Sequence, residues 1–234
     1  MLPFHRRLAE TGLAAVAEFG FALAGGYAIS VNGMGDRPSN DVDMFTNLPD
    51  PGRFAVAVDR LMEAYTVAGL QVESDVRGPT FADLHVTDPV SGESASVQLG
   101  LDWRAYPPAE LEIGPVLDQQ DAVGGKMSAL WSRGEARDYI DIDTVVESGR
   151  FSRDEVIVIA DRVESRPVER RMLAERFREA GRHSERVYAA YGVDPKRRSR
   201  IITSFAAWAD EIDPGPTEEG SLAASQTQSS VLMT

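Results

Sequence analysis

The first seventy residues alternate amphipathic segments with short apolar stretches. Apolar residues spaced by three and four predict helices over residues 5–20 and 54–69. Between these helices, the apolar run 21–24 predicts a strand, which ends at a glycine pair and leads into a short helix over residues 27–33. Side chains then alternate over residues 41–45 with the period of a strand.

Three more strands are predicted in the middle of the chain, over residues 70–76, 81–88 and 94–103. The sequence Pro-Val-Ser-Gly-Glu joins the last two strands and favours a hairpin turn. These patterns place the strands along the chain but leave their order in a sheet undetermined.

Helical periodicity dominates the second half of the chain. Helices are predicted over residues 117–146, 152–162, 167–191 and 195–211. Asp118 or Asp121 is the expected cap of the first of them, and Pro167 and residues 192–195 separate the last three. After Pro214 the sequence is polar, rich in small residues and without period, which predicts disorder.

These elements predict an α+β fold in which a small mixed sheet precedes a helical region. We expect a mixed α/β domain over residues 1–115, a helical domain over residues 116–213 and a disordered tail over residues 214–234. The chain of 234 residues is long enough for this arrangement, since a domain commonly has about 150 residues.

Composition narrows the classes of protein. Hydrophobic residues make up 43% and charged residues 26% of the chain, which are values of a globular protein with a core. No apolar run is long enough to predict a membrane span. The chain has 0 cysteines, which excludes a disulfide scaffold, a zinc–thiolate site and thiol catalysis. The cytoplasm is the expected location.

Charge is distributed unevenly along the chain. The net charge of −13 argues against non-specific coating of nucleic acid. Residues 162–200, the basic segment, nevertheless hold 12 basic against 6 acidic side chains, which leaves −19 on the rest of the chain. Two interpretations remain open: the basic segment contacts an RNA backbone, or it is a solvent-exposed face of salt bridges with Phe177, Tyr188 and Tyr191 packed between helices.

Candidate chemistry is concentrated between residues 25 and 43. Gly25 and Gly26, at a strand-to-helix turn, allow backbone N–H groups to approach a phosphate. Asp41 and Asp43 lie two residues apart on a predicted strand, so both carboxylates project from one face. Paired oxygen ligands beside a triphosphate suit Mg²⁺ and in-line nucleotidyl transfer. Taken singly, a glycine pair is also a packing device and an aspartate pair is also a solvated strand edge.

Three blocks of sequence carry a family resemblance. They read LAGGYAIS at residues 23–30, RPSNDVDMF at residues 37–45 and DAVGGKMSALWSRGEARDYIDIDTVV at residues 121–146. In this order they resemble the nucleotidyltransferase superfamily and, within it, the AbiEii/AbiGii-type toxins, which include MenT-like toxins. The resemblance implies a nucleotidyltransferase domain at residues 1–115 that moves a nucleotide from a nucleoside triphosphate (NTP), using Mg²⁺. It also implies an RNA acceptor, notably the tRNA 3′ end, and a separately encoded antitoxin.

The resemblance implies a role for each matching residue. Gly25 and Gly26 match the turn that holds phosphates, and Asp41 and Asp43 match the metal ligands. The remaining matches are Arg37 and Ser39, which precede the aspartates, Lys126, expected near the triphosphate, and Arg137, Asp138 and Asp141, which form a second motif of acidic and basic residues.

A third metal-binding carboxylate is also expected from the superfamily, on a later strand. Asp102 is the best match, and Gln98, on the same strand face, is the alternative occupant of that place. With Gln98 there, the second metal would be weakened. Asp102 or Asp138 is expected to accept the proton of the acceptor hydroxyl.

A basic stripe is predicted on the helix over residues 117–146. Lys126, Leu130, Arg133 and Arg137 recur at helical spacing and share one face. Lysine is rare in this chain, and Lys126 would offer a compact charge to a phosphate, although a general preference for arginine codons explains the rarity equally well. Arg137 and Asp138 could also be structural partners of Asp141.

Two other functions remain open from the sequence. The acidic body of the chain suits a small cationic acceptor, as in aminoglycoside-type nucleotidyltransferases. Alternatively, Gln98 in place of an acid, and Gly-Gly where the family usually has Gly-Ser, suit a catalytically degenerate binding module.

Overall fold

The computed structural model describes residues 1–164 and 166–214, so the tail predicted over residues 214–234 lies outside the described residues except for Pro214. The α-helices of this part are α1 (Pro3–Ala15), α2 (Gly25–Val31), α3 (Pro51–Val67), α4 (Gln119–Ser132), α5 (Ala136–Glu147), α6 (Arg153–Val163), α7 (Arg170–Arg178), α8 (Glu185–Ala189) and α9 (Pro195–Ile212). The strands are β1 (Ala22–Leu23), β2 (Asp41–Thr46), β3 (Gln71–Arg77), β4 (Phe81–Thr87), β5 (Ser94–Leu101), β6 (Ala109–Leu111) and β7 (Gly114–Val116).

The strands form one mixed sheet in the order β3-β4-β5-β2-β1-β7-β6. Strands β2 and β5 run parallel, as do β1 and β7, whereas the other neighbouring pairs are antiparallel. The predicted α+β fold with a mixed sheet is therefore confirmed. Strands β6 and β7 were not predicted, because three residues each, with Pro115 in the second, are too short to show an alternating pattern.

Alternation along β2 separates a buried face from an exposed one. Val42 and Met44 are fully buried, whereas Asp41 and Asp43 point to the opposite face and remain half-buried. Strand β5 lies beside β2 in a register that pairs Asp43 with Gln98. Polar side chains of two parallel strands therefore meet on one face of the sheet, which is the face that carries the candidate site.

A single cluster of buried apolar side chains extends through the described residues, from Phe4 on α1 to Ala209 on α9. It includes side chains from the sheet and from the C-terminal helices alike, such as Val97 and Phe205. The division into domains at residues 115 and 116 stays a prediction. None of the helices within residues 1–164 and 166–214 is both long and apolar enough to cross a membrane.

The helix predicted over residues 117–146 is divided into α4 and α5. The side chain of Asp118, one of the two caps expected from the sequence, accepts the backbone N–H of Gln120 and caps α4. Gly134 has a positive φ of 57°, which ends the first helix, and at the start of the second the carboxylate of Asp138 accepts the backbone N–H of Glu135 at 3.0 Å. After this break, Arg137 in the first turn of α5 lies 3.4 Å from the carboxylate of Asp41 on β2. The helix predicted over residues 167–191 is similarly divided, with a 3₁₀ turn at Glu179–Arg182 between α7 and α8.

Candidate active site

A cavity of about 380 Å³ lies between the polar face of β2 and β5 and the helices α4 and α5. Its size is that of a small-molecule site. The residues that the sequence singled out and that line this cavity are Gly25, Arg37, Ser39, Asp41, Asp43, Gln98, Asp102, Lys126, Arg133 and Arg137. The fold thus brings most of the predicted site residues around one space, although they come from distant parts of the chain.

The glycine pair sits against the acidic strand with no room for side chains. Gly25 has a φ of +60°, and a Cβ at this position would overlap the carboxylate of Asp43. A Cβ at Gly26 would lie 3.0 Å from Nη2 of Arg37 and 3.0 Å from Oγ of Ser39. The backbone of the turn therefore approaches Asp43 as closely as a backbone can, which only glycine allows.

Asp41 and Asp43 are neutralised to different extents. Ser39 Oγ donates to Asp41 Oδ1 at 2.6 Å, and Arg137 Nη1 lies 3.4 Å from Asp41 Oδ2. No donor within the described ranges hydrogen bonds to the Asp43 carboxylate. Burial and the charge of Asp41 together raise the pKa of Asp43 to about 6. Three nearby cations oppose this shift, yet the pKa stays raised, so these cations compensate the negative charge of the pair only in part.

This uncompensated charge fits a divalent cation of the Mg²⁺ class. Asp41 and Asp43 supply hard oxygen ligands from one strand face, and water or phosphate oxygens commonly complete the coordination of Mg²⁺. Across residues 1–164 and 166–214, however, no three His, Cys, Asp or Glu side chains are grouped so that they could hold a metal ion. Asp102 does not complete a set of three carboxylates with the pair, and Gln98 is the residue that lies beside Asp43.

Asp102 lies at the far end of the cavity, after the last residue of β5. Its backbone N–H donates to the carbonyl of Thr46, and its carboxylate accepts the N–H of Trp103 at 2.8 Å. Burial by the cavity wall raises the pKa of Asp102, although the bond from Trp103 opposes this shift. Asp102 is thus placed to interact with a bound molecule rather than with the aspartate pair.

Asp141 joins two cations behind the cavity. Arg37 donates to it from Nε at 2.7 Å and from Nη2 at 3.0 Å, and Lys126 Nζ lies 2.9 Å from Asp141 Oδ2. Burial disfavours the ionised carboxylate, but Lys126 and Arg37 outweigh burial and lower the pKa of Asp141. Two cations share one anion, so a positive charge remains at the wall that Arg37 and Lys126 form.

The C-terminal helices reach this wall through Tyr191. The guanidinium of Arg37 lies 5.3 Å from the centre of the Tyr191 ring, a cation–π distance. Tyr191 lies in the turn between α8 and α9, so this turn contacts a residue that lines the cavity. This contact was not expected from the sequence, where Tyr191 was considered only as a packing residue or an RNA contact.

Asp138 does not reach the cavity, in contrast to the expectation that it could accept a proton there. Its side chain is fully buried and accepts two hydrogen bonds from Arg133, at 3.0 and 2.9 Å. It also accepts the backbone N–H of Glu135 as part of the helix cap. The placement of Asp138 indicates a structural role, because all its described contacts hold the junction of α4 and α5 together.

The arginines of the basic segment are largely paired within the chain. Ion pairs join Arg170 to Asp161, Arg178 to Asp210, and both Arg176 and Arg182 to Glu179. Arg200 pairs with Glu147 and Asp143, while Arg197 donates to Thr144 and Arg198 to the carbonyls of Gly181 and His183. Phe177 and Tyr188 are fully buried. These contacts favour the interpretation of this segment as salt-bridged helices packed around an aromatic core.

Several lining residues were missed from the sequence. Phe45, Phe81, Asp121 and Gly125 also face the cavity. Only Gly125 carried a local signal, because glycine is unfavourable inside a helix and therefore marks a position with a special requirement.

Asp43 leads to a prediction for stability in the absence of metal. Asp43→Asn should raise the free energy of unfolding at pH 8 by about 2 kcal/mol, because it removes a charge that its half-buried position beside Asp41 disfavours. The pKa of Asp43 is raised in the folded state to about 6, so the wild type loses stability as pH rises from about 4 to 6 and the loss is complete above that range. The gain of the variant should shrink towards pH 4. Urea unfolding of wild type and Asp43→Asn at pH 8 and pH 4, with a chelator present, measures the difference in stability. Equal stabilities of the two proteins at pH 8 would contradict the prediction.

Comparison with known proteins gives similar folds and one family. A family model described as "Nucleotidyl transferase AbiEii toxin, Type IV TA system" matches residues 14–191. The structure is similar to MenT4, a nucleotidyltransferase toxin from Mycobacterium tuberculosis, with a TM-score of 0.60 and 19% identity over 90% of this chain and 84% of that chain. It is also similar to JHP933 from Helicobacter pylori, with a TM-score of 0.53 and 14% identity over 98% of this chain and 96% of that chain. No curated protein sequence matches the chain.

Proposed function

Because this chain belongs to the AbiEii family of nucleotidyltransferase toxins, we propose that it transfers a nucleotide from an NTP to a hydroxyl group of RNA, in a reaction that depends on Mg²⁺. A member of this family is a nucleotidyltransferase and the toxin of a toxin–antitoxin system, so an NTP substrate and a cognate antitoxin follow from membership. The Mg²⁺ dependence, the RNA acceptor and its tRNA 3′ end as the specific target belong to the proposal.

One observation carries the proposal: a carboxylate pair and an excess of cations face each other across a single cavity. Asp41 and Asp43 lie on the strand side, next to the turn at Gly25. Lys126 and Arg137 lie on the helix side. The carboxylate oxygens require a cation, and the positive side chains opposite them require an anion. A metal-bound triphosphate supplies both.

Different residues around the cavity bind the different parts of the NTP. Arg37 and Lys126 share Asp141, and their remaining positive charge attracts the β- and γ-phosphates and the pyrophosphate that leaves. The turn at Gly25 and Gly26 allows phosphate oxygens to approach the backbone. Mg²⁺ at Asp41 and Asp43 would supply charge neutralisation at the α-phosphate when bound.

Asp102 is proposed as the acceptor of the proton released by the attacking hydroxyl. Its raised pKa makes it a stronger base than a free aspartate carboxylate, and it lines the cavity that Asp138 does not reach. The acceptor oxygen forms a bond to the α-phosphorus, the bond to the pyrophosphate breaks, and the hydroxyl proton passes to the carboxylate of Asp102.

Incubation of the purified chain with labelled NTPs, Mg²⁺ and total RNA tests the proposal. We expect label in RNA, none in a chelator, and none with Asp41→Asn. Transfer should fall steeply with rising salt, because contacts to the RNA backbone release counterions. Label on a small aminoglycoside but none on RNA would overturn the RNA acceptor, and equal transfer by wild type and Asp41→Asn would overturn the metal site.

A further inference from the structure

A second, smaller chamber of about 110 Å³ adjoins the cavity. The two spaces share the walls formed by Phe45, Asp102, Leu117, Asp121 and Gly125. Strand β2 runs from the aspartate pair towards this chamber, which lies beside Thr46 at the end of the strand. A molecule whose phosphates lie near Asp43 could therefore extend along β2 into the chamber.

Gly125 lies where the two spaces meet, and packing does not account for its lack of a side chain. Its neighbour Gly124 is required by packing, because a Cβ there would lie 2.5 Å from Cγ1 of Val163. A Cβ at Gly125 would meet no atom within 4 Å among the described residues. Glycine destabilises a helix interior relative to alanine, yet it occupies an unobstructed position in the middle of α4. Its effect is to leave the opening between cavity and chamber wide.

Arg104 offers the chamber a hydrogen-bond donor that has no described partner. Its Nη2 donates to the carbonyl of Gly20 at 3.2 Å, but its Nη1 is buried and makes no hydrogen bond within residues 1–164 and 166–214. A buried donor without a partner is rare in folded proteins. The neighbouring Trp103 leaves 55% of its surface exposed at the chamber wall, which makes a large aromatic face accessible.

The charges of the chamber exclude a phosphate group. Asp102 and Asp121 line it together with the single cation Arg104 among the described residues. The carboxylate of Asp121 is already engaged, since it accepts the backbone N–H groups of Ala105 and Tyr106 at 2.9 Å each. The chamber therefore suits a neutral group that has a hydrogen-bond acceptor and a planar face, whereas phosphates are drawn to the cations of the main cavity.

We propose that this chamber receives the nucleobase of the NTP, which enters past Gly125. The base lies against the indole of Trp103, and Nη1 of Arg104 donates to a ring nitrogen or carbonyl oxygen on its edge. The inference rests on the proposed function, because it takes the main cavity as the site of the triphosphate. It assigns recognition of the base to residues that none of the three sequence blocks had marked for binding.

Calorimetric titration with each of the four NTPs and with inorganic tripolyphosphate, all with Mg²⁺, separates the contribution of the base to the binding affinity from that of the phosphates. Wild-type protein should bind its preferred NTP at least about tenfold tighter than tripolyphosphate, since base stacking alone contributes about that much. Gly125→Leu should lose this preference and keep its affinity for tripolyphosphate. Arg104→Met should lose most of the preference for NTP over tripolyphosphate.

Two variants control for folding. Ser132→Leu adds the same side chain to an exposed position of α4 outside both spaces and should bind NTP as the wild type does. Gly125→Ala should unfold at a higher temperature than the wild type, which shows that the fold tolerates a side chain there.

The outcomes are distinguishable. Unchanged NTP binding by Gly125→Leu would overturn the inference. If this variant also had a raised KM for the acceptor, the chamber would be assigned to the acceptor instead. If the wild type binds neither NTP nor tripolyphosphate, the proposed function itself fails, and the inference with it.

Discussion

Replacing Asp43 with asparagine should lower the rate of nucleotide transfer by about 10²–10³-fold. Asparagine has nearly the same shape, so the change removes one negative charge beside the turn at Gly25 and little else. In the proposed mechanism that charge would hold the cation that neutralises the α-phosphate, and removing one preorganised electrostatic group at a reacting centre commonly lowers the rate by about 10²–10³-fold. Initial rates of label transfer at saturating NTP and Mg²⁺ measure the effect.

The same variant supplies its own control against unfolding. Asp43→Asn is expected to be more stable than the wild type without metal, so a loss of transfer cannot be attributed to a damaged fold. Asp59→Asn, at an exposed aspartate on α3 that pairs with Arg77, should leave the rate unchanged. A rate for Asp43→Asn within tenfold of the wild type would show that this carboxylate does not hold a metal.

Replacing Asp141 with asparagine should lower the free energy of unfolding by about 3–5 kcal/mol. The change leaves Arg37 and Lys126 buried without their shared anion, and breaking a buried ion pair from one side has costs of this size. The pKa of Asp141 is lowered in the folded state, so its stabilisation is present at neutral pH and lost as pH falls through that folded-state pKa. The difference between variant and wild type should therefore be smaller in acid.

Urea unfolding at pH 7 measures this loss, and a second variant identifies its cause. Lys126→Met combined with Asp141→Asn should recover part of the stability, because one of the two unpaired cations is then absent. If the double variant is no more stable than Asp141→Asn alone, the repulsion of buried cations is not the reason for the loss.

Local patterns predicted those parts of the site that depend on a few neighbouring residues. Asp41 and Asp43 share a strand face because alternation along β2 requires it, and Asp118 caps α4 because a carboxylate before a helix can accept its N–H groups. The mixed fold class was also predictable, since the periods of strands and helices follow each other along the chain.

Contacts between distant segments were beyond the reach of these patterns. Asp138 was considered as a proton acceptor, yet the break at Gly134 directs its side chain into the junction of two helices. The pairing of Arg37 with Asp141 joins residues 104 positions apart, and no local period encodes it. The chamber beside Arg104 is formed by the end of β2, the loop after β5, helix α4 and the end of α6, and no local pattern in the sequence brings these segments together.

The contact between Arg37 and Tyr191 has a consequence for the order in which the protein is made. Synthesis proceeds from the N-terminus, and the wall of the cavity takes its final form only when Asp141 has paired with Arg37 and the ring of Tyr191 has covered it. A growing polypeptide on the ribosome that ends before this tyrosine holds both aspartates of β2 but an unfinished wall. Such a chain should therefore lack a complete cavity, and with it nucleotidyltransferase activity, until Tyr191 has emerged.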